Sequence, residues 1–577
     1  MPTIWVREFT GGLDARRLQE ASPGGTLIRC VDAHVSRGGD LEKRAAFVAR
    51  YALPPGTVSL ANDASGLFVF GHEPAPAGLP AGISYQRLQH PDGATALSRV
   101  PSYDLYGGKL YAVGDFADGS RFHFFDGARV ADWFDGRARA SLAVINGAGG
   151  DQVTTIRVGG IEILGAAVAW AGSTAATAAA LAAQINAFAS TPEYTALATG
   201  NLLSIVATAA AGSTPNGLAV TATTTGALAF SPSSTIMANG APASGSFQPG
   251  SSVRTIGDRI TSVSDSNLHG SGLSQPTKWT TDADGAFFID LAKQASGAEN
   301  LVAVAEYQNL VAIFGERTIL IYVIEADPAN NRKTQTLKNT GTTAARSVTQ
   351  FGDSDVFYLD ESGVRSLRAR DSSNAAFTSD IGSAIDPLIL VDLEAAGPEL
   401  RANAIGLIEP RDGRFWLCLG SKIYVFSYFT ASKVSAWSTY EPGFVISDAI
   451  VFRRKVYLRS GDTIYVYGGD GSTPQYDDTE PDLWLPYLSG ERPAQQKHLT
   501  GWDVVCRGTW EVRIGMQPDD ENVSDLLGVI EGTTLNADTY PAIGSSTHFS
   551  LRLRGIGNGP AKVAACMLHF MSDDDED

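Results

Sequence analysis

The chain has 577 residues, more than one compact core holds, so two to four domains are expected. A formal charge of -18 at pH 7 argues against a protein that grips nucleic acid through a broad basic face, because phosphate binding needs a surplus of Lys and Arg. With 61 glycines, 27 prolines and many Tyr, Phe, Val and Thr, the composition is that of short strands joined by frequent turns, and the fold class expected is all-β.

In chain order, the first residues carry Arg7 and Glu8 and no apolar leader pattern. No run of about 18 apolar residues could cross a bilayer, so neither a leader nor a membrane span is expected. A unit of two short strands separated by a turn then begins to recur. Leu67-Phe68-Val69-Phe70 precedes Ile83-Ser84-Tyr85, and Lys109-Leu110-Tyr111-Ala112-Val113 precedes Phe122-His123-Phe124-Phe125. After a gap come Leu310-Val311-Ala312-Ile313-Phe314 with Ile319-Leu320-Ile321-Tyr322, and Val356-Phe357-Tyr358-Leu359 with Gly363-Val364-Arg365-Ser366-Leu367. The sharpest two are Phe415-Trp416-Leu417-Cys418-Leu419 with Ile423-Tyr424-Val425-Phe426, and Val456-Tyr457-Leu458 with Ile464-Tyr465-Val466-Tyr467. A period of roughly 40 to 60 residues is that of a β-propeller whose blades have four strands, these pairs forming the inner two. Six blades are expected, and seven if the weaker unit Arg259-Ile260-Thr261-Ser262-Val263 supplies one more. A β-sandwich or β-helix is the structural alternative.

The gap, residues 139–245, has another composition: between Ile163 and Val253 the one charged residue is Glu193. Thr154-Thr155-Ile156-Arg157-Val158 turns at Gly159-Gly160 into Ile161-Glu162-Ile163-Leu164, a hairpin. Residues 174–188 open with Thr174, which can cap, and place Leu181, Ile185 and Phe188 at helical spacing. Strands 202–207 and 218–223 flank a Pro215-Asn216-Gly217 turn. These elements predict an Ala/Thr-rich α/β module inserted into a propeller loop. The propeller is then residues 1–138 and 246–480, and residues 481–577 form a C-terminal β-domain with strands such as Thr509-Trp510-Glu511-Val512-Arg513-Ile514. Its exposed strand edges suit packing against neighbours. The run Asp573-Asp574-Asp575-Glu576-Asp577 is an acidic tail.

Candidate chemistry is thin. No Gly-x-Ser-x-Gly, Walker A or His-Glu-x-x-His motif occurs, and the Ser-x-Asp-x-Gly-x-Thr-Trp box of sialidase propellers is missing. His34, His269 and His498 could be assembled in space, although an isolated His in a β-protein is commonly a packing residue. Asp282-Ala283-Asp284-Gly285 opens like a calcium loop but lacks the later acidic ligands, so a turn is the favoured reading. Asp353 and Asp355 with Asp360-Glu361 could pair carboxylates as glycosidases do, against the simpler reading of acidic propeller turns. Cys30, Cys418, Cys506 and Cys566 have no metal-ligand spacing and read as free thiols kept in a reducing compartment during folding. No catalytic, cofactor-binding or metal residue is therefore assigned, and no cofactor is expected.

Several stretches resemble the tail tubular protein B, or tail nozzle, family of short-tailed bacteriophages. They are Phe9-Thr10-Gly11-Gly12-Leu13-Asp14-Ala15-Arg16, then Gly39-Asp40-Leu41-Glu42-Lys43-Arg44, and Ser271-Gly272-Leu273-Ser274-Gln275-Pro276-Thr277-Lys278-Trp279. Gly315-Glu316-Arg317-Thr318-Ile319-Leu320-Ile321-Tyr322 and Asn339-Thr340-Gly341-Thr342 with Arg346-Ser347-Val348 complete the likeness, which covers roughly the first 140 residues and 254–487. The inserted module, with Val168-Ala169-Trp170 and Tyr194-Thr195-Ala196, resembles a small domain of other phage tail proteins. The resemblance implies a structural virion protein, not an enzyme. It would form a homohexameric ring below the head-to-tail adapter, carry fibres or a tip, and enclose a channel for DNA ejection without sequence-specific contact. Such a protein assembles in host cytoplasm and resides in the virion tail; the resemblance names no DNA-channel or inter-subunit residues. The alternatives are a propeller-fold polysaccharide-degrading tail spike and a cellular β-propeller scaffold.

Overall fold

The computed structural model describes residues 2–130, 137–208, 211–238, 240, 249–279, 284–292, 299–352, 355–369, 376–518, 520, 523–536 and 539–572. Each of the six strand pairs forms the second and third strands of a twisted sheet. The weaker unit becomes a seventh sheet, Ser252–Ile256, Arg259–Ser264, Asn267–Gly270 and Phe287–Asp290. The protein is thus a seven-bladed β-propeller, the larger of the two expected counts. The innermost strands follow one another around the axis as Val58–Asn62, Leu97–Tyr106, Ser252–Ile256, Leu301–Tyr307, Thr349–Phe351, Ile405–Glu409 and Asp448–Phe452. The last lies beside the first, closing the circle. We number the blades 1 to 7 in that order.

Blades bury both faces, which is why several of their central strands are continuously apolar rather than alternating. Arg414–Leu419 in blade 6 has no exposed residue. Six of the seven interfaces between neighbouring blades carry an apolar cluster of their own, as between blades 3 and 4, where Val263 and Leu268 pack against Ile313 and Leu320, while the seam between blades 5 and 6 merges with the core of another domain. Blade 1 departs from the hairpin expected: Ile83–Arg87 pairs parallel to Leu67–Gly71, because residues 72–82 carry the chain back to the starting end. Blade 7 takes its fourth strand from Phe47–Ala52, so early and late parts of the chain lock the ring together.

Residues 2–43, expected to begin the propeller, lie elsewhere. Thr3–Val6, Ala33–Val35 and Leu41–Lys43 join Lys497–Arg507, Tyr540–Ser546 and Lys562–Ser572 in a six-stranded sheet. It faces a second sheet of Arg29–Val31, Asp482–Trp484, Ser550–Ile556, Thr509–Gly515 and Asp525–Glu531. The C-terminal β-domain is therefore a sandwich built from both ends of the chain. Their alternating residues, Ile4 and Val6 at one end, Leu568 and Phe570 at the other, share one core with Trp502 and Trp510. The second sheet does not stop at the sandwich. Arg29–Val31 pairs with Val434–Tyr440, the outer strand of blade 6, making one sheet of 11 strands across both domains.

Between blades 2 and 3, residues 139–236 fold as two sheets of four and five strands around the helix Thr174–Ala187. The hairpin turns at Gly159-Gly160, both with positive φ. Strands Leu202–Ala207 and Ala219–Thr224 fall in different sheets. Leu181 and Ile185 of the helix are buried in a core of the module's own. The cap is Ser173, one residue before the Thr expected, its hydroxyl accepting from the Ala176 amide at 3.1 Å. Among the described residues no helix is long and apolar enough to cross a membrane.

Candidate functional site

The family-like motifs converge on joints. Lys43 and Arg44 lie where the sandwich meets the propeller, both less than 4% exposed. The Arg44 guanidinium donates to Asp32 at 2.6 Å, Asp477 at 2.9 Å and Thr479 at 2.7 Å. Lys43 Nζ donates to the carbonyls of Asp477 and Gly557, each at 2.7 Å. Two cations buried side by side persist because most of their donors meet an acceptor, two of them carboxylates on Arg44. Gly12 has φ +59 and pairs with Trp437 of blade 6; a Cβ there would lie 2.7 Å from the Trp437 carbonyl oxygen, which only glycine avoids.

The Ser271 to Trp279 stretch binds blade 3 to blade 2. Trp279 Nε1 donates to the Tyr111 hydroxyl at 3.1 Å, which meets His123 Nδ1 at 3.0 Å, and His123 Nε2 contacts the Gly250 carbonyl at 2.8 Å. Burial pushes His123 down to about 3. Thr342 Oγ1 donates to the Leu359 carbonyl at 2.7 Å, and Arg346 reaches Asp448 of blade 7 at 2.7 Å. Several of these stretches thus supply hydrogen bonds that join neighbouring blades, or the sandwich and the propeller.

The catalytic candidates do not assemble. His34 and His498 lie in one sheet but near opposite ends of the strand Lys562–Ser572, and His269 is in blade 3. His34 meets the Tyr440 hydroxyl at 2.7 Å, and burial lowers it to about 4. His269 is buried against Ser264 at 3.2 Å and held well below the usual imidazole range, chiefly by burial. His498 faces Ser545 at 2.7 Å. Asp355 and Asp360 stand at opposite ends of one strand. The first pairs with Arg368 at 3.3 Å, and the second accepts from Gly341 and Ser362. Glu361 lies 3.9 Å from Arg317, and Asp353 is outside the described residues. Asp282 is also outside them, while Asp284 and Gly285 form a turn whose carbonyls accept from Leu273 and Arg259. Among the described residues no group of three or more His, Cys, Asp or Glu is placed to hold a metal ion. All four cysteines are buried, and loss of solvation pushes their thiols up, to about 12 at Cys418 and about 11 at Cys506.

Two cavities stand out. One, of about 420 Å³, lies on the propeller axis and is lined from all seven blades, including Asn62, Asp104, Arg254, Arg346 and Gln350. The other, of about 240 Å³, opens between blades 6 and 7 and gathers Arg411, Arg453, Arg454 and Lys455 against a single carboxylate, Glu409. That carboxylate is already held by the amides of Arg411 and Asp412. Arg453 donates to the Ser65 carbonyl at 3.2 Å and Lys455 to the Gly471 carbonyl at 2.8 Å. Neither the Arg411 nor the Arg454 guanidinium has a hydrogen bond or ion pair among the described residues, and both are exposed.

The turn carrying this charge is strained. Phe452 pairs with Lys455, and the two residues between them have φ 46 and 63. The hairpins at Gly107-Gly108 and Gly159-Gly160 place glycine in the same positions. Two arginines in the left-handed region cost about 1–2 kcal/mol each. Sequence reasoning passed over this site, although Arg-Arg between two strand signals, where Asn-Gly is preferred, was a visible anomaly.

No family model and no curated protein sequence matches the chain. Among solved structures it is similar to BamB from Moraxella catarrhalis, at 9% identity over 73% of this chain and 96% of that one, with a TM-score of 0.32. An exo-β-1,3-galactanase from Phanerochaete chrysosporium is similar at 9% identity over 56% and 95% of the two chains, TM-score 0.22. Hsv2 from Kluyvelomyces marxianus is similar at 8% identity over 54% and 95%, TM-score 0.26. At these values none of the three carries a functional reading.

Proposed function

We propose that the chain is a structural protein of a bacteriophage virion, the subunit of a tail nozzle. It assembles as a homohexameric ring below the head-to-tail adapter, passes DNA through the ring's channel and offers its outer surface to fibres or a tip. The observation that carries this reading is the 11-stranded sheet running from blade 6 into the sandwich, closed by the buried Lys43 and Arg44 joint. A propeller and a sandwich so fused move as one block, which is what a ring under the load of DNA ejection requires of its subunits.

Two further features support it. The motif residues that resemble the nozzle family hold blades and domains together rather than converging on a ligand. The sandwich also presents two strands, Asp525–Glu531 and Tyr540–Ser546, each paired on one side only among the described residues, with Leu526, Val529 and Ile543 exposed. Open edges with apolar side chains are commonly covered by a neighbour. Electron microscopy of the chain mixed with the adapter ring tests the reading. A six-fold ring stacked on the adapter is expected, whereas particles that leave the adapter bare would overturn it.

A further inference from the structure

We propose that the basic pocket between blades 6 and 7 receives the acidic run Asp573-Asp574-Asp575-Glu576-Asp577 of a second copy of this chain. The proposal deepens the ring reading, since it rests on self-association. Four cations gathered on a chain of net charge -18 mark a place where the charge balance is locally inverted. Two of them, Arg411 and Arg454, have no anionic partner among the described residues, and a guanidinium fork is matched by a carboxylate. The strained Arg453-Arg454 turn has the same meaning. A two-residue turn of this kind is most easily made by Asn-Gly, so arginines kept there point to a use for their charge.

The same polypeptide carries the complement. Five consecutive carboxylates follow Ser572, and they lie outside the described residues. Within one subunit, Ser572 lies too far from the pocket for residues 573–577 to bridge the distance. The final strand is 11 residues long, about 33 Å at ~3.3 Å per residue. Its first residue, Lys562, pairs with Glu42, and the Lys43 amide bonds the Ala561 carbonyl at 2.9 Å. From Leu41 to Ala45, a pocket residue, the chain runs away from Ser572. Five residues span at most about 18 Å from Ser572, so a 573–577 run that occupies this pocket belongs to a neighbour. Pocket and tail are different surfaces, which makes the contact head-to-tail, and a contact of that kind closes into a ring when its rotation allows.

The test titrates a fluorescent peptide, Ser-Asp-Asp-Asp-Glu-Asp, into the full-length chain and follows anisotropy. Saturable binding is expected, weakened at least about tenfold by R453N/R454G and by R411A, and weakened again by raised salt. The double variant installs the preferred turn, so lost binding with an unchanged or raised melting temperature cannot be ascribed to misfolding. In parallel, the full-length chain with D573N, D574N, D575N, E576Q and D577N should self-associate more weakly than the parent. The proposal is overturned by an absence of saturable binding, by binding that the variants leave unchanged, or by a short DNA duplex that displaces the peptide and binds more tightly. A ring that still forms on the adapter while the peptide fails to bind would remove this contact and leave the nozzle reading standing.

Discussion

The sandwich and the inserted module are joined to the same propeller in opposite ways. The sandwich continues a blade's own hydrogen-bonded sheet, shares its apolar core with blades 5 and 6 and is locked by buried cations at Lys43 and Arg44. The module has a separate core and a narrow neck, where Arg139 and Ala238 exchange backbone hydrogen bonds at 2.8 Å. Between its helix and the loops of blades 1 and 2 lies a cavity of about 650 Å³ rather than packed side chains. One attachment runs a sheet and a core across two domains; the other hangs a unit with its own core from a single neck.

Substitutions can break this contrast. Arg44→Ala leaves Asp32 buried without its cation and should lower the stability of the propeller and sandwich by about 3–5 kcal/mol, read by urea unfolding with a single coincident transition. Two separated transitions would show that the domains are not one body. Leu181→Ala empties the centre of the module's core and should cost it about 2–5 kcal/mol, with faster amide exchange confined to residues 139–236. Exchange spreading into blades 2 and 3 would show tighter coupling than the neck allows.

Acid sharpens the comparison from another side. Burial depresses His34 to about 4 and His123 to about 3 and holds His269 well below the usual range, and all three lie in the propeller and its junction with the sandwich. The folded state refuses protons that the unfolded chain accepts below about 6.5. Stability is therefore complete above that pH and falls as pH drops toward 4, by up to about 1.4 kcal/mol per pH unit for each histidine. Melting temperatures from pH 7.5 to 5 should show the slope, and His123→Gln should make it shallower. The smallest effect is expected from removing residues 141–241 and bridging the neck with a short linker. The propeller should keep its melting temperature to within a few degrees, and loss of soluble protein would refute the neck's independence.

The blades were legible because each is buried on both faces. Strands such as Phe415-Trp416-Leu417-Cys418-Leu419 announce themselves as apolar runs bounded by turn residues. The module was legible through its change of composition. The sandwich was only half legible: Thr3–Val6 is four residues long, and nothing local shows that its partner is Lys562–Ser572, more than 550 positions away. The closing strand Phe47–Ala52 was hidden for the same reason. Parallel pairing in blade 1 escaped because a strand pair carries no sign of its direction. At the pocket, net charge misled: a sum of -18 conceals four cations brought together by two blades.

The central claim, a rigid subunit that closes into a ring, is tested most directly by mass photometry of the purified chain, alone and mixed with the adapter ring. A species near six times 60.8 kDa, alone or on the adapter, is the predicted result. A strict monomer under both conditions, or a trimer that cleaves host polysaccharide, would contradict it.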